Sequence, residues 1–166
     1  ASGCGASVIV LRIDCPGGFA SEARRFVESI LKVEVPVVAW VDGAASGAGA
    51  IAALSADKVY FSENAILGGE VESIDWRGPA EHLPKRLTDL RYYDLADELV
   101  ELLASKGRAK ELVKGFCDSD EEVVLNGLKY ASSGDVLSLD ALSAGKAGIA
   151  GSLVEGLEGV LDLCKA

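Results

Sequence analysis

Two stretches near the start of the chain decide the fold: SVIVLRIDCPGG (residues 7–18) and PVVAWVDGAASGAGAIAALSADKVYFS (residues 36–62). Each contains a short, continuous apolar run rich in β-branched residues that stops at a glycine-containing turn, which is typical of a buried strand. Between them, residues 19–32 carry apolar side chains at helical spacing and charged side chains on the opposite face, which predicts an amphipathic helix. The order strand, helix, strand predicts a right-handed parallel crossover.

The rest of the chain continues this alternation. In the second stretch, a strand over 37–41 is expected to end at Asp42-Gly43, a small-residue helix to cover 44–56, and another strand to follow at 59–62. Beyond it the pattern predicts a loop-like region with a short strand near Ile66, and then a long helix from Pro84 to Lys106 and a second helix from about Ala109 to Phe116. The last part of the chain is predicted to form a strand at Val136-Leu137, a helix that begins at Asp140 or Ser138, and a final apolar segment over 149–163.

The composition of the chain indicates a folded domain and argues against several classes of function. With 166 residues and 49% apolar residues the chain is expected to form one folded α/β domain over residues 1–166. A net charge of −10 argues against nucleic acid as a partner, because binding to phosphate rests on clustered cations. The longest uncharged run, residues 43–56, is shorter than the roughly 20 residues that a membrane span needs. Four cysteines without CxxC spacing and a solitary His82 predict neither a metal site nor a cofactor.

Three features of the sequence are candidates for a catalytic role, and each also has an ordinary structural explanation. The loop Cys15-Pro16-Gly17-Gly18 could point backbone N–H groups into a cleft, or it could simply end a strand. Ser46 follows a strand and precedes a helix, where its hydroxyl would be exposed beside helix N–H donors, or where it would serve as an N-cap. Lys85 near a helix start is a candidate base, or an ordinary solvated lysine. Together they suggest a serine nucleophile with a lysine base, and a triad through His82 ranks lower.

In order along the chain, the segments RIDCPGG, PVVAWVDGAASGAGAIAALSADKVYFSENAILGG, LPKRLTDLR and KGRAKELV resemble the catalytic domain of signal-peptide-peptidase-A and NfeD-type serine proteases. The similarity runs from about Val8 to Leu163, and the NfeD branch is the most similar. The resemblance implies a ClpP/crotonase-like fold of repeated strand-strand-helix units, with a mostly parallel sheet flanked by helices. It also implies that elements before Ser7 and membrane-anchoring segments lie outside this chain.

The resemblance assigns roles to particular residues. It implies that Ser46 is the nucleophile and Lys85 the base of a Ser/Lys dyad, and that Gly18 and Gly47 supply the oxyanion N–H groups. In the same way it implies that Gly17, Gly68 and Gly69 line the substrate cleft. Cys15 stands where the family usually has Ser or Thr, in a position that shapes the loop and is not the nucleophile.

The expected activity is that of a serine endopeptidase which cleaves extended apolar peptides or membrane-derived segments through an acyl-enzyme. Two alternatives share the fold. The segment GAASGAG also resembles the oxyanion loop of crotonase-like acyl-CoA enzymes, and a catalytically silent oligomeric scaffold is the third possibility. By resemblance we expect a homo-oligomer, and membrane association of the full-length protein through segments outside this chain, which is itself expected to be soluble.

Overall fold

The structure is a computed structural model that describes residues 5–69 and 95–165. In the first range the elements are β1 (Ile9–Cys15), α1 (Ala20–Ile30), β2 (Val37–Ala45), α2 (Ala48–Ser55), β3 (Lys58–Phe61) and β4 (Ile66–Gly68). In the second range they are α3 (Ala96–Ala104), α4 (Lys110–Cys117), β5 (Val123–Leu125), β6 (Leu128–Ala131), β7 (Ser138–Leu139), α5 (Ala141–Lys146), β8 (Ala150–Leu153) and α6 (Gly156–Lys165).

Strand β2 is the centre of a six-stranded sheet. Along one edge it pairs in parallel with β1, and along the other it pairs in parallel first with β3 and then, at Ala44 and Ala45, with β4. Strand β8 extends the sheet in parallel beyond β3, whereas β7 runs antiparallel to β4. Because β1, β3 and β4 all run parallel to β2, their carboxyl ends face the same way and bring the loops that follow them together.

Both faces of this sheet are buried in its central part, which explains why β2 reads as a continuous apolar run. On one face Ala39 and Val41 pack in the main core with α1, α2, α3 and α4. On the other face Val38 and Trp40 form a smaller cluster with Tyr60 and with residues of the C-terminal segment. The amphipathic helix predicted over 19–32 is confirmed as α1, which buries its alanine, valine and isoleucine positions.

The predicted boundary between β2 and α2 is wrong. The strand does not end at Asp42-Gly43 but continues to Ala45, and the helix begins only at Ala48. The physical reason is that Ala44 and Ala45 find strand partners in β4, while Gly43, at φ 137°, absorbs the local irregularity. The strand extension carries Ser46 to the very junction of strand and helix.

The second described range agrees with the sequence in part. Helix α4 is confirmed, and Asp140 begins α5 by accepting a hydrogen bond from the Ser143 N–H at 2.7 Å. The strand predicted at Val136-Leu137 lies two residues later, in β7. Of the helix predicted from Pro84 to Lys106 the structure shows α3, and residues 84–94 lie outside the described ranges.

The hairpin β5–β6 was not predicted. Its two strands are joined by Asn126-Gly127, both with positive φ, which is the combination that a two-residue hairpin turn requires. Within residues 5–69 and 95–165, no helix combines the length and apolar character needed to span a bilayer.

Candidate active site

Ser46 lies between the last residue of β2 and the first turn of α2. Its N–H donates to the Cys15 carbonyl at 2.9 Å, which ties it to the end of β1. The residue is only 5% exposed, and its Oγ donates to the Gly68 carbonyl at 2.7 Å. The expectation of an exposed hydroxyl is therefore wrong, because the end of β4 covers it. The N-cap alternative is also wrong, since Gly47 occupies that position without a side-chain cap.

Gly47 shapes the turn that presents Ser46 to α2. Its φ of 49° and ψ of −113° lie in a region that side-chain-bearing residues avoid, so glycine is required for this change of direction. Helix α2 then starts at Ala48, which places Ser46 two residues before a helix N-terminus. The positive end of the helix dipole favours negative charge at that place, as an alkoxide or an oxyanion would need.

The glycine loop after β1 packs against the same helix start. The Cys15 thiol donates to the Gly17 carbonyl at 2.8 Å and closes the turn, consistent with a loop-shaping role for this cysteine. A Cβ on Gly18 would lie 2.7 Å from the Ala48 Cβ, and a Cβ on Gly49 would lie 2.9 Å from the Cys15 Cβ. Glycine at both positions lets loop and helix approach this closely. The structure thus brings Gly18 and Gly47, the two predicted oxyanion residues, to one end of α2.

Gly68 and Gly69 border Ser46 from the other side. Both have positive φ, 91° and 85°. A Cβ on Gly68 would lie 2.2 Å from the Leu137 carbonyl oxygen and 2.6 Å from Phe116 Cε1, so no other residue fits there without displacement. A Cβ on Gly69 would lie 3.8 Å from Ser46 Oγ. Gly68, the last residue of β4, therefore contacts the candidate nucleophile directly, and Gly69 follows it beside Ser46.

Lys85, the predicted base, and His82, its lower-ranked competitor, lie outside the described residues. Their relation to Ser46 therefore stays a prediction. Within residues 5–69 and 95–165, no cluster of three or more His, Cys, Asp or Glu side chains is arranged to hold a metal ion.

A cavity of about 460 Å³ opens beside the glycine loop. Its wall is mostly apolar, with Phe19, Ala23 and Phe26 from the α1 side and Ala48 and Ala52 from α2. The charged side chains Arg12, Asp14 and Glu22 also line it. An apolar wall of this kind is typical of a pocket that accepts an apolar side chain.

Sequence reasoning missed two residues near Ser46. Phe116 of α4 packs behind Gly68, and Ser138 of β7 has its Oγ 4.0 Å from the position of a Gly69 Cβ. The alternation Leu137, Ser138, Leu139 could have indicated a strand with one polar face, but nothing in the sequence indicates that this strand pairs with β4.

The far end of α2 is held by a charged group. Arg108 donates from Nε to the Leu54 carbonyl at 2.9 Å and from Nη2 to the Ala56 carbonyl at 2.7 Å, satisfying acceptors at the helix C-terminus. Burial lowers the pKa of Arg108, and the charge of Asp57 opposes that shift.

Asp57 connects this end of the helix to the sheet. It accepts from the Val37 N–H at 2.7 Å and pairs with Lys106 at 2.5 Å. Partial burial acts to raise the pKa of Asp57, but the hydrogen bonds from Lys106 and Val37 and the charges of Lys106 and Arg108 outweigh it, so the pKa lies below its ordinary value. Hydrogen bonds to other segments thus hold both ends of α2.

The whole chain, residues 1–166, matches the family described as "NfeD1b, N-terminal domain". The chain belongs to this family. The NfeD resemblance drawn from the motifs is confirmed by this match.

Two curated relatives are similar in sequence. The Membrane protein NfeD1b of Bacillus subtilis (strain 168) is 29% identical over 133 residues, which are 80% of this chain and 28% of that protein. The acetyl-coenzyme A carboxylase carboxyl transferase subunit alpha of Bartonella tribocorum is 33% identical over 140 residues, which are 72% of this chain and 43% of that protein. This NfeD1b-family chain therefore spans less than half of the length of either relative.

Solved structures of the same fold include a membrane protease. One is a 1510-N membrane protease specific for a stomatin homolog from Pyrococcus horikoshii, with a TM-score of 0.66, 19% identity, and coverage of 98% of this chain and 65% of that one. A 1510-N lysine-to-alanine variant is solved in complex with a substrate peptide. ClpP1 from Listeria monocytogenes matches with a TM-score of 0.57, 17% identity, and coverage of 95% and 80%. The ClpP-like fold expected for this NfeD1b-family chain, with its mostly parallel sheet and flanking helices, is thereby confirmed.

Proposed function

We propose that this NfeD1b-family domain is a serine endopeptidase in which Ser46 is the nucleophile and Lys85 the general base. The observation that carries the proposal is the surrounding of the Ser46 hydroxyl. It sits at a strand-to-helix junction, its Oγ donates to the Gly68 carbonyl, and backbone of Gly47 and Gly69 borders it. At a helix N-terminus the dipole favours the negative charge that develops on the oxygens during acyl transfer.

In the proposed reaction, neutral Lys85 takes the proton of Ser46 as Oγ attacks the carbonyl carbon of a peptide bond. The N–H groups of Gly18 and Gly47 stabilise the resulting oxyanion. The C–N bond then breaks, and Lys85 returns the proton to the leaving amine. Water hydrolyses the acyl-enzyme and restores Ser46. Because the amine must be neutral to accept a proton, the rate of acylation should rise as the pH increases through the titration of Lys85.

The proposed substrates are extended peptides rich in apolar residues, including segments derived from membrane proteins. The apolar wall of the cavity beside the glycine loop supports this preference, with Phe19, Phe26 and Ala52 on its lining. A peptide substrate is also named for the Pyrococcus protease of the same fold. Membrane association of the longer protein is proposed from the Bacillus relative, which is named a membrane protein. Self-association into a homo-oligomer is proposed on the family resemblance alone, and sedimentation velocity tests it.

The decisive experiment is intact-mass detection of a fluorophosphonate adduct. The wild-type chain should gain one adduct, and Ser46→Ala should abolish it. Ser55→Ala is the matched control, because Ser55 is buried on the same helix and its Oγ donates only to the Ala52 carbonyl. Lys85→Ala and Lys85→Arg should both abolish labelling, because arginine stays protonated. Lys32→Ala, a change at an exposed lysine, should not affect it.

The other outcomes each overturn part of the proposal. Labelling that survives Lys85→Ala would assign the base to His82 or another group. If the wild type is not labelled, the peptidase proposal is wrong. Binding of acetyl-coenzyme A by calorimetry would then favour the acyl-CoA class, to which the Bartonella relative points, and its absence would favour a scaffold.

A further inference from the structure

Two hydroxyl groups border the space beside Gly69, where this residue lacks a side chain. The position that a Gly69 Cβ would take is 3.8 Å from Ser46 Oγ and 4.0 Å from Ser138 Oγ, and among residues 5–69 and 95–165 these are the only heavy atoms within 4 Å of it outside Gly69 and its chain neighbours. A ligand atom in this space would touch the candidate nucleophile on one side and Ser138 on the other. Ser138 thus lies at the site although it is 92 residues away from Ser46 in the chain.

The sheet holds Ser138 in this place. Strand β7 pairs antiparallel with β4, with Ser138 opposite Gly68 and Leu139 opposite Leu67. The Gly69 N–H donates to the Leu137 carbonyl at 2.8 Å, which fixes the backbone directly before Ser138. Leu137 and Leu139 are each 1% exposed, so both are anchored in the core. Because side chains alternate along a strand, Ser138 points to the opposite face, toward the space at Gly69.

The two hydroxyls differ in how they are engaged. Ser46 Oγ donates to the Gly68 carbonyl, whereas Ser138 is exposed and its Oγ makes no hydrogen bond to the residues of 5–69 and 95–165. A hydroxyl can donate one hydrogen bond and accept others. An extended peptide carries an N–H donor and a carbonyl acceptor at every residue. A peptide whose scissile carbonyl is at Ser46 must place neighbouring atoms close to Gly69.

We propose that Ser138 is a substrate-contacting residue of this site, whose hydroxyl hydrogen-bonds the main chain of a peptide next to the bond attacked by Ser46. The inference rests on the proposed peptidase function. The inference adds to the site a residue from β7, at the sheet edge opposite the glycine loop. It also implies that the site prefers a peptide with a small residue beside Gly69, because the two hydroxyls border this space at van der Waals distance.

One competition experiment tests the inference and the proposed function separately. Labelling of Ser46 by a small dialkyl fluorophosphonate is followed by mass, alone and with increasing amounts of a peptide with the core Ala-Val-Leu-Leu-Val-Ala. Each variant's own labelling rate without peptide is the reference for its protection. Ser138→Ala should raise the half-protecting peptide concentration about 3- to 10-fold, the loss expected for one hydrogen bond. Ser138→Thr, which keeps the hydroxyl, should restore protection.

A larger side chain gives a second, steric readout. Ser138→Trp should crowd the space at Gly69 and reduce protection by the peptide more than 10-fold, again measured against the variant's own labelling rate without peptide. Ser152→Ala and Ser152→Trp are the matched controls, because Ser152 is also an exposed serine on an edge strand, in β8 at the opposite side of the sheet. Equal thermal unfolding midpoints would establish that all five variants are folded.

The outcomes distinguish a failure of the proposed function from a failure of the inference about Ser138. If the wild type is not labelled, the proposed function is wrong and the inference is wrong with it. If the wild type is labelled and protected by the peptide, but the Ser138 variants are protected equally well, the peptidase proposal stands and the contact of Ser138 with the substrate is refuted. Changes of the same size in the Ser152 variants would also refute it.

Discussion

Replacing Gly68 by alanine should destabilise the fold and disturb the candidate nucleophile at the same time. Gly68 has a φ of 91°, and its added Cβ would lie 2.2 Å from the Leu137 carbonyl oxygen and 2.6 Å from Phe116 Cε1. The first neighbour is backbone of the paired strand and cannot turn away. Strand β4 or β7 must therefore shift, and the Gly68 carbonyl that accepts from Ser46 Oγ shifts with it.

The magnitude has two parts. Positive φ costs an alanine about 1–2 kcal/mol. Forcing a methyl group into packed surroundings costs about 1–3 kcal/mol more. We therefore expect Gly68→Ala to lower the free energy of unfolding by about 2–5 kcal/mol, from a total on the order of 5–15 kcal/mol for a domain of this kind.

Gly134→Ala separates the two parts. Gly134 has nearly the same φ, 92°, but no atom of the part of the chain that the structure describes lies within 4 Å of its added Cβ, so Gly134→Ala carries the backbone cost alone. Urea unfolding at fixed pH should show a loss of about 1–2 kcal/mol for Gly134→Ala and a larger loss for Gly68→Ala. Fluorophosphonate labelling should fall only in Gly68→Ala. Equal destabilisation by the two changes would show that the contact with Leu137 does not constrain the sheet, and would refute the reasoning.

Three further predictions concern other parts of the fold. Arg108→Ala should lower the free energy of unfolding by about 2 kcal/mol in urea melts, because two charged hydrogen bonds to carbonyls near the end of α2 are lost. The control is Arg25→Ala, at an exposed ion pair, which should change the free energy of unfolding by less than about 0.5 kcal/mol. Because the pKa of Asp57 is lowered in the folded state, its contribution to stability is present above the ordinary carboxyl pKa and is lost as the pH falls through the folded value. Asp57→Asn should therefore flatten stability against pH below about pH 4, as measured by thermal melts, and an unchanged slope would contradict this. Burial raises the pKa of the Cys117 thiol to about 12. Mass mapping after iodoacetamide treatment at pH 8 should therefore find Cys117 modified only in the unfolded chain. Modification in the folded chain would show that the burial of this thiol is incomplete.

Local patterns in the sequence were sufficient for the order of most elements and for the location of the candidate nucleophile between a strand and a helix. Apolar runs and helical spacing predicted β1, α1, β3 and α4, and the position of Ser46 between strand and helix is confirmed. These features depend on residues that are neighbours in the chain. The N-cap of α5 at Asp140 was predictable for the same reason, because the bond runs to a residue three positions away.

Features that depend on distant segments were not predictable in the same way. The end of β2 was placed too early because its last two residues are strand only by pairing with β4. The hydroxyl of Ser46 was expected to be exposed because nothing in its own segment shows that Gly68, 22 residues later, supplies a carbonyl to it. Ser138 was missed because its role depends on an antiparallel pairing that no local pattern specifies. The hairpin at Asn126-Gly127, by contrast, carries a local signal that should have been recognised.

The glycines around Ser46 have a consequence for how such a site can diverge. Gly18, Gly47 and Gly68 each hold a backbone conformation or a contact that excludes any side chain. The immediate surroundings of Ser46 therefore have almost no freedom to vary, and mutation there should disrupt the local backbone instead of retuning the site. If the proposed function is correct, changes in peptide preference must arise one layer further out, at positions such as Ser138, and a library meant to alter selectivity should randomise that outer layer while leaving every glycine untouched.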